Sequence, residues 1–414
     1  MSNHFEVRNG ELFAEEVAVS RIASEFGTPT YIYSRATLER HLRAWQEPLG
    51  DRGTIYYSVK ANSNIGVLSV LAQMGSGFDI VSAGELARVI QAGGDPNKVV
   101  FSGVGKTADE MRYALDAGIH CFNIESESEL QLLNQVAEEL NLVAPISVRV
   151  NPDVDAKTHP YISTGLSDNK FGIDISLAPT VYEHAATMAH VEILGVDCHI
   201  GSQLTELSPY WDALDRILIL VDDLASRGIE LEHIDLGGGL GVTYIDEEPP
   251  HPSEMLNGLF ERLGDRPHKL AFEPGRSIAA NAGILITKIL FTKESSVKNF
   301  AVVDAAMNDM LRPALYNAWM NITPVIEHSD RETKIWDVVG PVCESADFLG
   351  KDRELSIAEG DLLVQHSAGA YAFTMASNYN SRPRAAEVMV SGDNVISVRL
   401  RETIEQLTQG ESLV

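Results

Sequence analysis

The sequence predicts an α/β chain: a (β/α)8 TIM barrel with a second, β-rich domain formed by the C-terminal part plus the N-terminal segment. Three observations carry that expectation. Short apolar strands alternate with helical stretches over residues 54–273 at the spacing of βαβ units, which pair in parallel through right-handed crossovers. Several helices announce their starts with capping boxes. After Glu273 the segments remain strand-like but long helices no longer separate them.

In chain order the barrel strands are expected at Thr54 to Val59, Phe78 to Val81, Val99 to Ser102, Cys121 to Ile124, Ile146 to Val150, Ile193 to His199, Leu231 to Leu236 and Leu270 to Glu273. Each is a run of β-branched or aromatic residues bounded by turn formers. The pairs Ser82 with Glu85, Thr107 with Glu110, and Ser126 with Glu129 place a hydroxyl and a carboxylate where they satisfy the first free amides of a helix. Ser208 followed by Pro209 opens a long helix that Gly228 ends. The later strands are "GILITKILFT", "NFAVVDAAM", "KIWDVVGPV", "GDLLVQHSAG" and "AEVMVSGDNVISVRLRE", the last with a Gly-Asp turn that predicts a hairpin. "YIYS" at 31–34 precedes the first barrel strand and is expected to join them. The domains are therefore drawn as 35–281 for the barrel and 1–34 with 282–414 for the β-rich part.

Composition bounds the function. The 414 residues carry a formal charge of −27, which argues against nucleic acid or an anionic membrane surface as partner. No apolar run is long enough to span a bilayer, and the start "MSNHFEVRNG" has no basic-then-apolar signal, so a cytoplasmic address is expected. The three cysteines, Cys121, Cys198 and Cys343, are widely spaced without a CxxC pair, which suggests neither a disulfide framework nor a zinc site.

A TIM barrel does its chemistry at the carboxyl ends of its strands. There stand Lys60, Asp79, Ser102, Asn123, Arg149, His199, the run "GGGLG" at 237–241, and Glu273 with Arg276 in "EPGRS". Taken singly, Lys60 reads as a surface lysine, His199 as a core histidine and Asp79 as a helix cap. Glu273 is harder to dismiss, because a carboxylate ending an apolar strand costs desolvation unless a cation or donor meets it. The glycine run exposes successive backbone amides after strand seven, where barrels commonly bind phosphate. It lacks the third glycine of a dinucleotide fingerprint, Val242 standing in its place, and "GVGKT" at 103–107 lacks the first glycine of a P-loop, where Val100 stands. A lysine, a phosphate cradle, a carboxylate and an imidazole together suggest pyridoxal 5'-phosphate: the lysine bonds the aldehyde, the carboxylate keeps the pyridine nitrogen protonated, and the imidazole stacks on the ring.

"YYSVKAN", "GFDIVSAGEL", "HIGSQ", "GGGLG", "EPGR", "MNDMLRPALY", "PVCESAD" and "GAY" stand in that order over nearly the whole chain, which thereby resembles the diaminopimelate decarboxylases, a family of the alanine-racemase-like pyridoxal enzymes. The resemblance implies decarboxylation of meso-diaminopimelate to L-lysine and CO2, the last step of lysine biosynthesis by that route, in a homodimer with shared active sites. It implies Lys60 as the Schiff-base lysine, His199 as the stacking imidazole and Glu273 as partner of the pyridine nitrogen. Asp79, Ser202, Gly237, Gly238, Gly239, Gly275, Arg276 and Tyr371 complete the set expected around the cofactor. Arg276, Arg312 and Tyr316 are expected at the substrate's far carboxylate and Glu344 at its far ammonium, Tyr371 also counting among the substrate-binding residues, with Cys343 and Glu344 reaching the partner's site. Either Cys343 or Lys60 would return the proton. Met320 stands where the family often shows a histidine. Rival readings are a basic amino-acid decarboxylase or racemase of the same fold, a catalytically silent pyridoxal carrier, and a nucleotide switch built on "GVGKT".

Overall fold

The structure, a computed structural model, describes residues 3–154 and 170–414. Two compact units emerge, one of His41–Val242 with Glu247–Ile278, the other of the described residues up to Arg40, Thr243–Asp246 and Ala279–Val414.

The first unit is a closed parallel barrel. Its strands are β1 (Gly53–Ser58), β2 (Gly77–Ile80), β3 (Val99–Phe101), β4 (Cys121–Ile124), β5 (Ala144–Asn151), β6 (Val191–Asp197), β7 (His233–Asp235) and β8 (Lys269–Phe272). Each pairs in parallel with the next, and β8 pairs with β1 through Leu270↔Gly53, Ala271↔Thr54 and Phe272↔Ile55, which shuts the ring. At that seam a Cβ on Gly53 would lie 1.9 Å from the Leu270 carbonyl oxygen, so only glycine lets the first and last strands meet. Tyr56, Val100, Cys121 and Ala271 from β1, β3, β4 and β8 pack together. Tyr57 and Phe78 on adjoining strands meet edge to face with ring centroids 6.5 Å apart.

The helices begin where the side chains ask them to. Thr107 and Glu110 form a reciprocal capping box. Ser82 and Ser126 each accept the amide of the glutamate three residues on, but those glutamates turn elsewhere: Glu85 takes the Val81 amide and Glu129 the Glu125 amide. These two are thus single caps, a correction to the expected boxes. The long helix runs Ser208–Ser226, with Gly228 following at φ +81°.

In the second unit the sheet follows the order Phe348–Leu355, Lys334–Val339, Phe300–Val303, Gly283–Lys293, Thr30–Ser34, Ala386–Ser391, Asn394–Arg399. The "YIYS" strand lies inside it, antiparallel to Gly283–Lys293 and parallel to Ala386–Ser391. The last two strands form the expected hairpin, closed at Ser391↔Asn394 with Gly392 at φ +62°. Ile32, Ile284, Ile286, Val364, Val388 and Val390 form the core of this sheet together with residues of a small N-terminal sheet. That N-terminal sheet (Phe5–Arg8, Glu11–Ala14, Val17–Ala18) and the strand Phe348–Leu355 were not expected from the sequence. No described helix is long and apolar enough to cross a membrane.

Candidate active site

The barrel gathers its candidate residues at one rim because β1, β2, β6, β7 and β8 all run in one direction. β1 ends at Ser58 and a 3-10 turn, Val59–Ala61, carries Lys60. Lys60 Nζ donates to Asp79 Oδ2 at 2.8 Å, and Ser58 Oγ donates to the same oxygen at 2.7 Å. Asp79 is fully buried inside β2, not a helix cap, and its Oδ1 has no hydrogen-bond partner among the described residues. Lys60 is therefore held by a buried carboxylate while its side chain stays 39% exposed, enough to be reached by a small aldehyde.

Glu273 follows β8. Its Oε1 lies 3.4 Å from the Ser102 hydroxyl and 3.3 Å from the Asn123 amide, both donors, and its own amide donates to the Gly237 carbonyl at 2.8 Å. Burial, with Asp79, Asp235 and Asp197 close by, pushes the Glu273 carboxyl well above the usual range. Asp197, Asp235 and Glu273 bring carboxylate oxygens within 4.8 Å of one another. Asp197 is raised to about 7 and Asp235 well above the usual range, burial being the leading cause for each. Arg149 answers part of this charge, donating to Glu125 Oε1 at 3.0 Å and lying 3.8 Å from Asp197. The barrel end thus holds more buried carboxylates than cations, an arrangement that suits a protonated ring nitrogen.

His199 follows β6. Its Nδ1 accepts the Gly238 amide at 3.2 Å, which leaves the ring proton to Nε2. Burial, with Arg149 and Lys60 nearby, holds the imidazole well below its usual pKa and so neutral, as a stacking ring should be. Gly237 has φ +67°, and a Cβ there would lie 2.6 Å from His199 Nδ1; one on Gly238 would lie 2.3 Å from the Glu273 carbonyl oxygen, and one on Gly239, 2.4 Å from that of Gly201. The run is bare backbone pressed between the β6 and β8 loops. Beside it, Arg276 donates to Ser202 Oγ at 3.1 Å, and Gly275 packs against Ser58 and Ala61. Lysine, neutral imidazole, buried acid and side-chain-free cradle fit pyridoxal phosphate.

The barrel thus assembles Lys60, Asp79, His199, Ser202, Gly237, Gly238, Gly239, Glu273, Gly275 and Arg276. The remaining expected residues belong to the other unit. There Arg312 is buried, its guanidinium 5.1 Å from the Tyr244 ring centroid and 5.8 Å from that of Tyr316. Tyr371 adopts φ +54°, a backbone setting uncommon for a residue with a Cβ. Cys343 and Glu344 are exposed neighbours; Tyr379 donates to Glu344 at 3.4 Å, and the Asn380 side chain accepts the Cys343 amide at 2.8 Å. Met320 is buried, and Arg353 donates to its carbonyl.

Sequence reasoning passed over Asp197, Asp235 and Glu85. Asp235 ends the apolar segment "HID", so the desolvation argument used for Glu273 applies to it equally. Glu85 was read only as a capping partner, yet burial raises it to about 7, with Asp79 pushing the same way and Lys60 the other. "GVGKT" places Lys106 out of solvent: Nζ donates to Glu129 Oε1, Gly103 O and Asn123 O at 2.6, 2.8 and 2.7 Å, so no phosphate could claim it.

Residues 35–280 match the family described as pyridoxal-dependent decarboxylase, pyridoxal binding domain. The chain is 60% identical over 411 residues to a diaminopimelate decarboxylase of Pseudomonas aeruginosa, covering 99% of each. Among solved structures it is similar to diaminopimelate decarboxylase from Helicobacter pylori complexed with L-lysine (TM-score 0.91, 41% identity, covering 94% of this chain and 98% of that one). It is also similar to the enzyme from M. jannaschii in co-complex with L-lysine (TM-score 0.94, 36% identity, covering 100% and 99%).

Proposed function

The chain belongs to the pyridoxal-dependent decarboxylases and, within them, to the diaminopimelate decarboxylases, and from that premise we propose which of its own residues carry the conversion of meso-diaminopimelate to L-lysine and CO2. One observation carries the assignment: Lys60, the neutral His199, the glycine run and Glu273 share one rim of a single barrel.

When bound, pyridoxal phosphate supplies an electron sink for the bond that loses CO2. Lys60 would hold the aldehyde end of that group, and Asp79 keeps the lysine directed at the rim. Glu273 would answer a protonated pyridine nitrogen, a facing cation lowering the raised pKa of its carboxyl. His199, tethered by the Gly238 amide, would supply the imidazole for the ring. The amides of Gly237–Gly239 would receive the phosphate, with Ser202 and Arg276 beside the run; Tyr371 is the further phosphate contact that the family resemblance adds.

Arg312, set over two tyrosine rings, and Arg276 meet the far carboxylate of the substrate, and Glu344 its far ammonium. Ornithine, arginine or lysine would leave those arginines unsatisfied at a cost of about 2–4 kcal/mol. Cys343 and Glu344 act in a partner subunit's site within a homodimer, a reading supported by their exposure on this chain. Cys343 or Lys60 returns the proton to the substrate carbon after CO2 leaves. The cytoplasm is the expected compartment.

The test is release of CO2 and L-lysine from meso-diaminopimelate by the purified, cofactor-loaded protein, beside ornithine, arginine and L-lysine. Turnover of diaminopimelate alone supports the assignment. Turnover of ornithine or arginine instead overturns the roles of Arg312 and Glu344. A sedimentation measurement that finds only monomer in the active preparation overturns the shared site.

A further inference from the structure

The loops that follow β6 and β7 are stitched together beyond what strand pairing requires. Leu204 donates its amide to Gly239 O at 2.9 Å, Gly241 donates to Leu204 O at 2.8 Å, and the two segments form a parallel bridge at Leu204↔Leu240. Gln203 extends this ladder with its side chain. Its Nε2 donates to Val242 O at 2.6 Å while its Oε1 accepts the Val242 amide at 3.2 Å, so the carboxamide imitates a peptide group and satisfies both backbone groups of one residue. Gln203 reaches this position with φ +61°, a left-handed setting that residues with a Cβ rarely adopt. Gly241 leaves room for the clamp, since a Cβ there would lie 2.9 Å from Leu204 O and 3.3 Å from Gln203 Cδ.

Among side chains that do not titrate, a donor and an acceptor on one planar group are supplied only by Gln or Asn, and Asn is one methylene shorter. A strained backbone held by paired hydrogen bonds marks a site where the surroundings over-determine a geometry. What that geometry fixes is the path of the residues from Gly237 to Val242. We propose that Gln203 is a positioning residue for the phosphate cradle: by clamping Val242 it sets the direction in which the glycine-run amides point, and hence the affinity for the phosphate of the cofactor. The inference rests on the reading that this run receives the phosphate.

The experiment compares full-chain apoprotein with its Gln203→Leu and Gln203→Met variants, titrated with pyridoxal 5'-phosphate and with pyridoxal, which lacks the phosphate. Absorbance of the lysine-bound chromophore gives both affinities. Gln203→Leu and Gln203→Met keep close to the volume and lose both hydrogen bonds, and neither brings a charge to the cradle. Pyridoxal phosphate should bind both variants at least about tenfold more weakly, with pyridoxal affinity within about twofold of the parent in both. Equal weakening for both ligands would mean a general loosening of the barrel and would overturn the proposal, as would unchanged discrimination. If the parent protein itself binds the two ligands equally, the cradle reading fails first and takes the proposal with it. Should Gln203→Leu not fold, Gln203→Met, with its unbranched side chain, decides by the same ratio.

Discussion

Replacing Lys106 by Met tests whether "GVGKT" is a structural device. The Lys106 side chain is 1% exposed and that of Glu129 8%, so this ion pair sits out of water. Met fills nearly the same space, leaving little cavity, but it strands a carboxylate and the carbonyls of Gly103 and Asn123. Removing one partner of a buried pair costs about 3–5 kcal/mol, most of it from the uncompensated charge. Burial already raises the Glu129 carboxyl, with Lys106 opposing, so the orphaned acid takes up a proton and the loss should fall at the lower end of that range. Gln at position 129 keeps an acceptor for the Glu125 amide but carries no charge. Lys106→Met with Glu129→Gln should therefore recover at least about 1 kcal/mol of the single variant's loss. Equilibrium urea unfolding followed by far-UV circular dichroism measures all three proteins. The reasoning is refuted if Lys106→Met lies within about 1 kcal/mol of the parent, the range of an exposed pair, or if the double variant is no better than the single.

Gly237→Ala should weaken pyridoxal phosphate binding by about 2–4 kcal/mol, combining left-handed strain with displacement of the His199 ring; Gly264→Ala, at φ +60° with nothing within 4 Å, should leave affinity unchanged in the same titration. Arg312→Ala should lower kcat/KM for meso-diaminopimelate by roughly 30- to 900-fold, the equivalent of about 2–4 kcal/mol; unchanged steady-state kinetics would remove Arg312 from the substrate clamp. His233, packed 5.8 Å from the His120 ring and bonded to Ser147, is lowered to about 4, chiefly by burial. Because its folded pKa lies below the unfolded value, its stabilisation is present above pH 6.5 and lost as pH falls toward 4, to the extent of roughly 3 kcal/mol. The urea midpoint of the parent should therefore drop more steeply over that window than that of His233→Gln, and parallel curves would contradict the assignment.

The barrel was legible because its strands are short, largely apolar and separated by helices, three of which start on a hydroxyl cap at Ser82, Thr107 and Ser126. The acidic floor of the site was not, because an aspartate closing a strand, as at Asp197 or Asp235, looks the same in sequence as one that caps the next helix. Glu273 escaped that ambiguity through the desolvation cost of a carboxylate closing the apolar run "LAF". The strand Phe348–Leu355 was missed for another reason: its register with Lys334–Val339 shifts twice and Asp352 sits at φ +55°, so its side chains do not alternate cleanly. Gln203 could not be singled out, since its role depends on a left-handed backbone setting that no spacing announces. Arg312, Tyr316, Tyr371, Cys343 and Glu344 were readable only through family motifs.

The seam between β1 and β8 also sets a schedule. Lys60 emerges early in synthesis and Glu273 only after the last barrel strand, and the two ends meet through the pairing of Gly53–Ile55 with Leu270–Phe272 and the Ser58 amide on the Pro274 carbonyl. Such a contact joins distant parts of the chain, so it is among the slow, late events of folding. On the proposed roles, a nascent chain can therefore offer Lys60 to an aldehyde long before it can offer Glu273 to the ring nitrogen. Full cofactor capture becomes a signature of a finished ring, and a cofactor-loaded protein whose seam opens should release the cofactor before its helices melt.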